Sequence, residues 1–248
     1  MSMIALYFSY NRLGQVQRTL PTVAEQCARE NIQLFIWDNA SRDGCAEHLK
    51  EFVGGYSPGC YLVLSERNLG KAAATNEIMR RLGGHHTHFI SIDDDARPGD
   101  NCLRTLKHFA LGLGDVCGMI SPVFEQPDTG MPNERYETRT FGNHFRLRIG
   151  PPVSGACFVT STTFFRGIGG YPETDLPVYG REDGWLCGIA AGKTHRDRLN
   201  AHRSLVGGYL ENCTVDHQLD KNNAYAEFKH RMTFDPNWRT KREGFFET

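Results

Sequence analysis

The chain opens on an apolar run at 3–8 that stops at the polar group SYNR. The stretch 16–29 then places Val16, Leu20, Val23, Ala24 and Cys27 at helical spacing, so a strand, a loop and a helix are predicted. The pattern recurs. A second apolar run at 34–37 ends in DNASRDG, whose turn and cap formers precede a helical stretch at 46–53. A third, at 61–64, leads through SERNLGK into the Ala-rich, helix-favouring 72–82, and a fourth, at 88–92, ends in DDDARPGD before a helix over 102–111. Four successive strand-then-helix units predict a parallel sheet covered on both faces by helices. Such sheets bind ligands beyond the carboxyl ends of their strands, so the four polar clusters are expected to converge on one rim. The second half is less regular: 116–124 and 147–159 read as strands, the polar stretch 125–143 as an excursion, and the GIGGYPE turn follows. We expect one domain, 1–248, with a first half at 1–115, a second half at 116–217 that covers the rim, and a tail at 218–248.

Composition narrows the class. With 248 residues, 40% hydrophobic and 23% charged, the chain is long enough for a sizeable core and is not disordered, collagen-like or a coiled coil. Lys and Arg number 28 against 29 Asp and Glu, so no whole-molecule field gathers phosphate backbones and any nucleic-acid contact must be local. The longest apolar runs, such as 87–92, are strand-sized, and neither a membrane span nor a secretory signal is visible. The eight cysteines form no CxxC pair, which fits reduced thiols in a cytoplasmic protein. His85, His86 and His88 lack a partner at zinc-site spacing and read as a loop entering a strand.

The polar clusters carry the chemistry. Asp93, Asp94 and Asp95 directly follow an apolar strand, and three adjacent carboxylates repel unless a cation or solvent offsets them. Alternate carboxylates such as Asp93 and Asp95 can share one Mg²⁺ or Mn²⁺ ion whose open positions take a diphosphate and water, the competing reading being an acidic turn that caps the helix near Asn101. Asp38 and Asn39 end the second strand, suited either to the edge of a base or to a plain Asx turn. Asn68, Gly70 and Lys71 open a helix with free N–H groups, close backbone approach and a cation, which suits a phosphate, although no GxGxxG or GxxxxGK[ST] is present. Glu182 and Asp183 lie at the start of a helical segment as general-base candidates, or alternatively as a salt bridge to Arg181 and a favourable helix-start charge. His217 offers a neutral imidazole to a metal.

Taken as a series, SYNR, WDNASRDG, ERNLGKAAATNEI, IDDDARP, GACFVTSTTFFRGIGGYPE, GREDGWL and a late His resemble family 2 glycosyltransferases over 3–217. The resemblance implies the GT-A fold: α/β, a Rossmann-like, mostly parallel sheet with helices on both faces and a smaller mixed acceptor-side subregion, with 1–115 as the nucleotide-sugar half. It places Ser9, Tyr10, Asn11 and Arg12 beside the nucleotide, Asp38 facing the base, and Asn68, Gly70 and Lys71 along the ribose and diphosphate. Asp93 and Asp94 fall near the ribose, and Asp95, Asp93 and His217 on a Mn²⁺ or Mg²⁺ ion. Asp183, beside Glu182, becomes the catalytic base, while Gly155, Ala156 and Trp185 line the acceptor side. The implied reaction is inverting transfer from a nucleoside-diphosphate sugar, a UDP-sugar by the family's habit, to a hydroxyl of a saccharide or glycoconjugate. The QxxRW element and transmembrane helices of processive polysaccharide synthases are missing from this sequence.

Three other readings stay open. Arg135, Arg139, Arg146 and Arg148 interleave with Tyr136, Phe141 and Phe145, and 193–203 is rich in cations, so a hydroxylated base in DNA is an alternative acceptor. A sugar nucleotidyltransferase is the second, although SYNRLGQVQR is a poor version of its basic, Gly-rich loop. A non-catalytic nucleotide-sugar-binding module is the third.

Overall fold

A computed structural model describes residues 2–56, 59–82, 84–125, 137–142, 144–149, 154–172, 182–190 and 205–218. In chain order the elements are β1 (Met3–Ser9), α1 (Leu13–Arg29), β2 (Gln33–Asp38), α2 (Cys45–Gly54), β3 (Cys60–Leu64), α3 (Gly70–Leu82), β4 (His88–Asp93), β5 (Ala96–Pro98), α4 (Cys102–Leu113), β6 (Cys117–Phe124), β7 (Glu137–Phe141), β8 (Phe145–Ile149), β9 (Cys157–Ser161), α5 (Thr162–Gly167), α6 (Glu182–Ala190) and β10 (Val206–His217). One sheet runs β3-β2-β1-β4-β9-β6-β10-β8-β7, with β5 paired to β10. Its β3-β2-β1-β4 part is parallel, whereas β9 is antiparallel to β4, and β7 and β8 form an antiparallel pair beside β10.

Strand β1 explains why both faces are covered. All seven of its residues are buried, and successive side chains alternate between two cores. Met3, Ala5 and Tyr7 join Val16, Leu20 and Val23 of α1, Leu49 of α2, and Leu103 and Leu106 of α4. Ile4, Leu6 and Phe8 join Ala74 and Ile78 of α3, Phe164 and Phe165 of α5, and Leu186 and Ile189 of α6. Each fully buried side chain of this size contributes roughly 1.5–3 kcal/mol relative to exposure. The first four predicted strand-helix units are all present, with helices on both faces.

Three differences from expectation have local causes. The stretch 147–159 is not one strand: β8 ends at Ile149 beside β10, and β9 begins at Cys157 between β4 and β6. Within the stretch read as an excursion, β7 pairs with β8, and Phe141 and Phe145 pack on Phe109 with ring centroids 5.4 and 5.1 Å away. Helix α1 starts at Leu13 because Asp43 Oδ2 accepts from its N–H at 2.7 Å, while Arg12 O accepts from the amides of Gln15 and Val16. His88 does open β4, and its ring sits between Thr87 Oγ1 and Gly114 O, at 3.1 Å from each. Among the described residues no helix is long and apolar enough to cross a membrane, and the seven described cysteines are free thiols.

The turn after α5 is fixed by one side chain. Asn76 of α3 donates from Nδ2 to Tyr171 O at 2.8 Å and accepts the Tyr171 N–H on Oδ1 at 2.9 Å. Gly169 and Gly170 precede it with φ of +83° and +73°. A Cβ on Gly170 would lie 2.5 Å from Asn76 Oδ1, whereas one on Gly169 meets nothing within 4 Å. Gly170→Ala therefore combines left-handed strain with the loss of a buried hydrogen bond, and its expected cost is about 2–4 kcal/mol. Gly169→Ala carries the strain alone, about 1–2 kcal/mol. Denaturant midpoints at unchanged slope check the pair, and equal losses would contradict the role of the clamp.

Candidate active site

The register of the parallel strands builds the rim. Ser9 lies opposite Asp38 and Phe8 opposite Asp93, so the loops that leave β1, β2 and β4 emerge side by side. The first two are stitched together: Ser41 Oγ accepts from Asn11 N at 2.9 Å, and Asn11 Oδ1 accepts from Arg42 N at 2.7 Å.

Three carboxylates follow β4, and the chain itself supplies cations to them. Arg12 Nη1 donates to Asp94 Oδ1 at 2.7 Å and to Asp95 Oδ2 at 2.9 Å, with Arg12, Asp94 and Asp95 all buried. Asp94 Oδ2 also accepts from Tyr10 N at 3.3 Å. Burial pushes the Asp94 carboxyl up to about 8 against the pull of Arg12, with the charges of Asp95 and Asp93 adding to the rise. Lys71 Nζ, at the start of α3, donates to Asp93 Oδ1 at 2.5 Å and to Gly155 O at 2.6 Å.

Pairing of β5 with β10 brings the late histidine to this cluster. His217 lies opposite Ala96, its Nε2 is 3.4 Å from Asp95 Oδ2, and its ring stacks on Phe124 at 5.2 Å. Gln218 N donates to Asp95 O at 2.8 Å, which ties the end of the strand to the acids. Carboxylate oxygen beside imidazole nitrogen is a donor set that suits Mn²⁺ better than Mg²⁺, whose preference is for oxygen alone. Asp95 and His217 thus fit a divalent ion, and Asp93 would join them on releasing Lys71. Among the described residues no three His, Cys, Asp or Glu side chains are already gathered as ligands.

The residues expected on the acceptor side lie next to the acids. Asp183, in the first turn of α6, accepts from Gly155 N on Oδ2 at 3.2 Å and from Gly184 N on Oδ1 at 2.7 Å. A Cβ on Gly155 would lie 2.7 Å from Asp183 Cβ, so only glycine allows this approach. Ala156 O accepts from Asp93 N at 2.8 Å, which places Gly155 and Ala156 between the acid cluster and Asp183. Trp185 packs on Tyr171 with ring centroids 5.8 Å apart. Glu182 opens α6, but its side chain and Arg181 lie outside the described residues.

Several sequence-predicted residues have partners within the protein. Asp38 is expected to face a base, yet it is 1% exposed and closed into its own loop: its carboxylate accepts from Ser41 N at 2.9 Å, Ser41 Oγ at 2.5 Å and Ser9 Oγ at 3.3 Å. Arg12, expected beside the nucleotide, is turned into the acids. Asn68 Oδ1 accepts from Gly70 N at 2.9 Å and so shapes the start of α3, where Gly70 has φ +74°. Ser41, which holds Asp38, was not singled out; an Asp followed three residues later by Ser is the turn signature that marks it. The described part of the basic-aromatic segment has partners within the protein. Arg146 and Arg148 both pair with Glu211, Arg139 pairs with Glu137, and Phe141 and Phe145 are in the core contact with Phe109. Arg135, Tyr136 and 193–203 lie outside the described residues.

Comparison with known proteins adds the family. A search of curated proteins gives no match. Among solved structures, the mannosyltransferase PcManGT from Pyrobaculum calidifontis, in complex with GDP-Man and Mn²⁺, aligns with a TM-score of 0.67 at 18% identity, over 91% of this chain and 59% of that one. GalNAc-T7 with UDP, GalNAc and Mn²⁺ aligns with a TM-score of 0.66 at 14% identity, over 88% of this chain and 44% of that one. The chain therefore spans little more than half of the first and less than half of the second. A 4-diphosphocytidyl-2C-methyl-D-erythritol synthase from Anaerococcus prevotii aligns with a TM-score of 0.55 at 9% identity, over 94% and 96% of the two chains. The fold is thus that of the GT-A glycosyltransferases, and the last likeness shows that fold alone does not separate sugar transfer from nucleotidyl transfer. The model described as Glycosyl transferase family 2 matches residues 8–168, well over half of the chain, and the protein belongs to that family.

Proposed function

We propose that this protein is an inverting, metal-dependent glycosyltransferase. In this reading it moves a sugar from a nucleoside-diphosphate sugar, with UDP as the first nucleotide to try, to a hydroxyl of a saccharide or glycoconjugate. The observation that carries the reading is Asp183. Among the described residues its carboxylate is held by two N–H groups and by no cation, so it is oriented yet able to accept a proton. It stands one short loop from the acid cluster. Asp95 and His217, with Asp93 after its release from Lys71, would hold the ion, which when bound offsets the charge of the departing diphosphate. Arg12 keeps Asp95 and Asp94 in place. Asp183 takes the proton of the acceptor hydroxyl, the oxygen attacks the anomeric carbon on the face opposite the diphosphate, and configuration inverts. The pairing of Arg139, Arg146 and Arg148 with Glu137 and Glu211 favours a saccharide over DNA.

A melting screen of nucleotide sugars with and without MnCl₂ tests this. A donor at about 100 times its Kd stabilises by roughly 2.7 kcal/mol, and this rise is expected only with the metal present. Adding acceptor should then release nucleoside diphosphate. Release of pyrophosphate from a nucleoside triphosphate and a sugar phosphate would instead identify a nucleotidyltransferase. Binding without turnover on any acceptor would identify a binding module.

A further inference from the structure

We propose that Lys71 is the positioning residue for Asp183: its ammonium ties Asp93 to the carbonyl of Gly155, whose own N–H holds the Asp183 carboxylate. This inference rests on the reading of Asp183 as the base.

The sequence suggests a phosphate-binding lysine at a helix start. The structure gives it other partners. Lys71 Nζ is 2.5 Å from Asp93 Oδ1 and 2.6 Å from Gly155 O, and it lies 5.9 and 5.6 Å from the ring centroids of Phe8 and Phe158. Its side chain is 11% exposed. An ammonium held this way has lost the freedom of a surface lysine, and the loss is offset by charge-assisted bonds and by the faces of the rings. Gly155 is then bonded from both sides, with its C=O accepting from Lys71 and its N–H donating to Asp183 Oδ2 at 3.2 Å. The approach is tight enough that a Cβ there would collide with Asp183. Ala156 O, which accepts from Asp93 N, closes the ring of contacts back to β4.

Four segments far apart in sequence therefore meet through one charge: α3, the end of β4, the loop before β9, and α6. Removal of that charge frees the Gly155 carbonyl, and Asp183 loses the fixed N–H that aims it. Misplacement of a catalytic group by about 1 Å can cost on the order of 10²-fold in rate.

A double-mutant cycle on the full chain decides the matter, with Lys71→Met keeping the stem and removing the charge. Turnover is measured with the donor and acceptor found in the screen, and nucleotide affinity by calorimetry with UDP, and in parallel GDP, each with MnCl₂. In the otherwise unchanged protein, K71M is expected to lower kcat roughly 10- to 100-fold while nucleotide Kd moves by less than about threefold. In the Asp183→Asn background the same change should cost no more than about twofold. Lys71→Arg should recover part of the rate, and hydrogen exchange at the Gly155 amide should quicken in K71M. Equal losses in both backgrounds, or a Kd that rises as far as kcat falls, would overturn the proposal and make Lys71 a direct donor ligand. Full activity of D183N would instead remove the base reading itself, whatever K71M does. Melting midpoints of all variants separate these outcomes from unfolding.

Discussion

Asp183→Asn is expected to lower turnover by roughly 10²- to 10⁴-fold, the weight of a positioned general base. The substitution is isosteric, and the amide oxygen can keep the Gly155 N–H that Oδ2 accepts in the native protein, at the loss of the bond from Gly184 N to Oδ1. The loop at Gly155 and Ala156 should therefore stay in place, with metal-dependent nucleotide binding changed by no more than about twofold. The carboxylate is what disappears. A split of this kind, with kcat lost and ground-state binding kept, is the mark of an interaction made in the transition state. A variant that turned over normally would take Asp183 out of the chemistry.

The second large effect concerns stability. Arg12→Ala leaves Asp94 and Asp95 buried and facing each other without the guanidinium that now bonds both. Breaking a buried pair on one side costs about 3–5 kcal/mol, which for a domain of this size lowers the melting midpoint by roughly 10 °C. The pH dependence has a definite sign. Asp94 already has a folded-state pKa pushed above its ordinary value by burial, and removal of Arg12 raises it further. An acid whose folded pKa exceeds its unfolded one favours the fold most when protonated, so R12A should lose stability as pH rises from about 4 towards 8. Mn²⁺ should restore part of the midpoint in R12A and shift it further there than in the unchanged protein. Arg12→Lys, which keeps the charge but replaces the planar guanidinium whose Nη1 bonds both carboxylates, should fall between. A midpoint for R12A within 2 °C of the unchanged protein would show that the acids need no internal counterion.

The parallel half was legible because its inner strands β1 and β4 are buried on both faces and so appear as unbroken apolar runs. Strand β1, with every residue buried, is the clearest case. The rim followed from the same pattern, since each polar cluster ends such a run. Strand β5 was invisible: three residues, Ala96–Pro98, make no periodicity, and only the partner strand β10 defines them. The division of 147–159 into β8 and β9 was hidden for a related reason, because an apolar stretch does not announce which neighbours it will pair with. At the site, the need of Asp93–Asp95 for neutralisation was readable from their adjacency. The identity of the cations was not. A basic residue at a helix start, such as Lys71, has the local meaning of a phosphate site, and the resemblance sets Arg12 beside the nucleotide; tertiary contact pairs both with the acids. The turn that joins Asp38 to Ser41 was likewise outside what the resemblance implied.

Strand β10 has a bearing on how the protein is made. It lies between β6 and β8, pairs with β5, and ends on His217, well downstream of the acids it approaches. During translation the parallel half leaves the ribosome first, and Arg12 and Lys71 emerge with it. A nascent chain can thus shelter its aspartates with its own side chains, and the contact between His217 and Asp95 forms only when β10 is threaded into place.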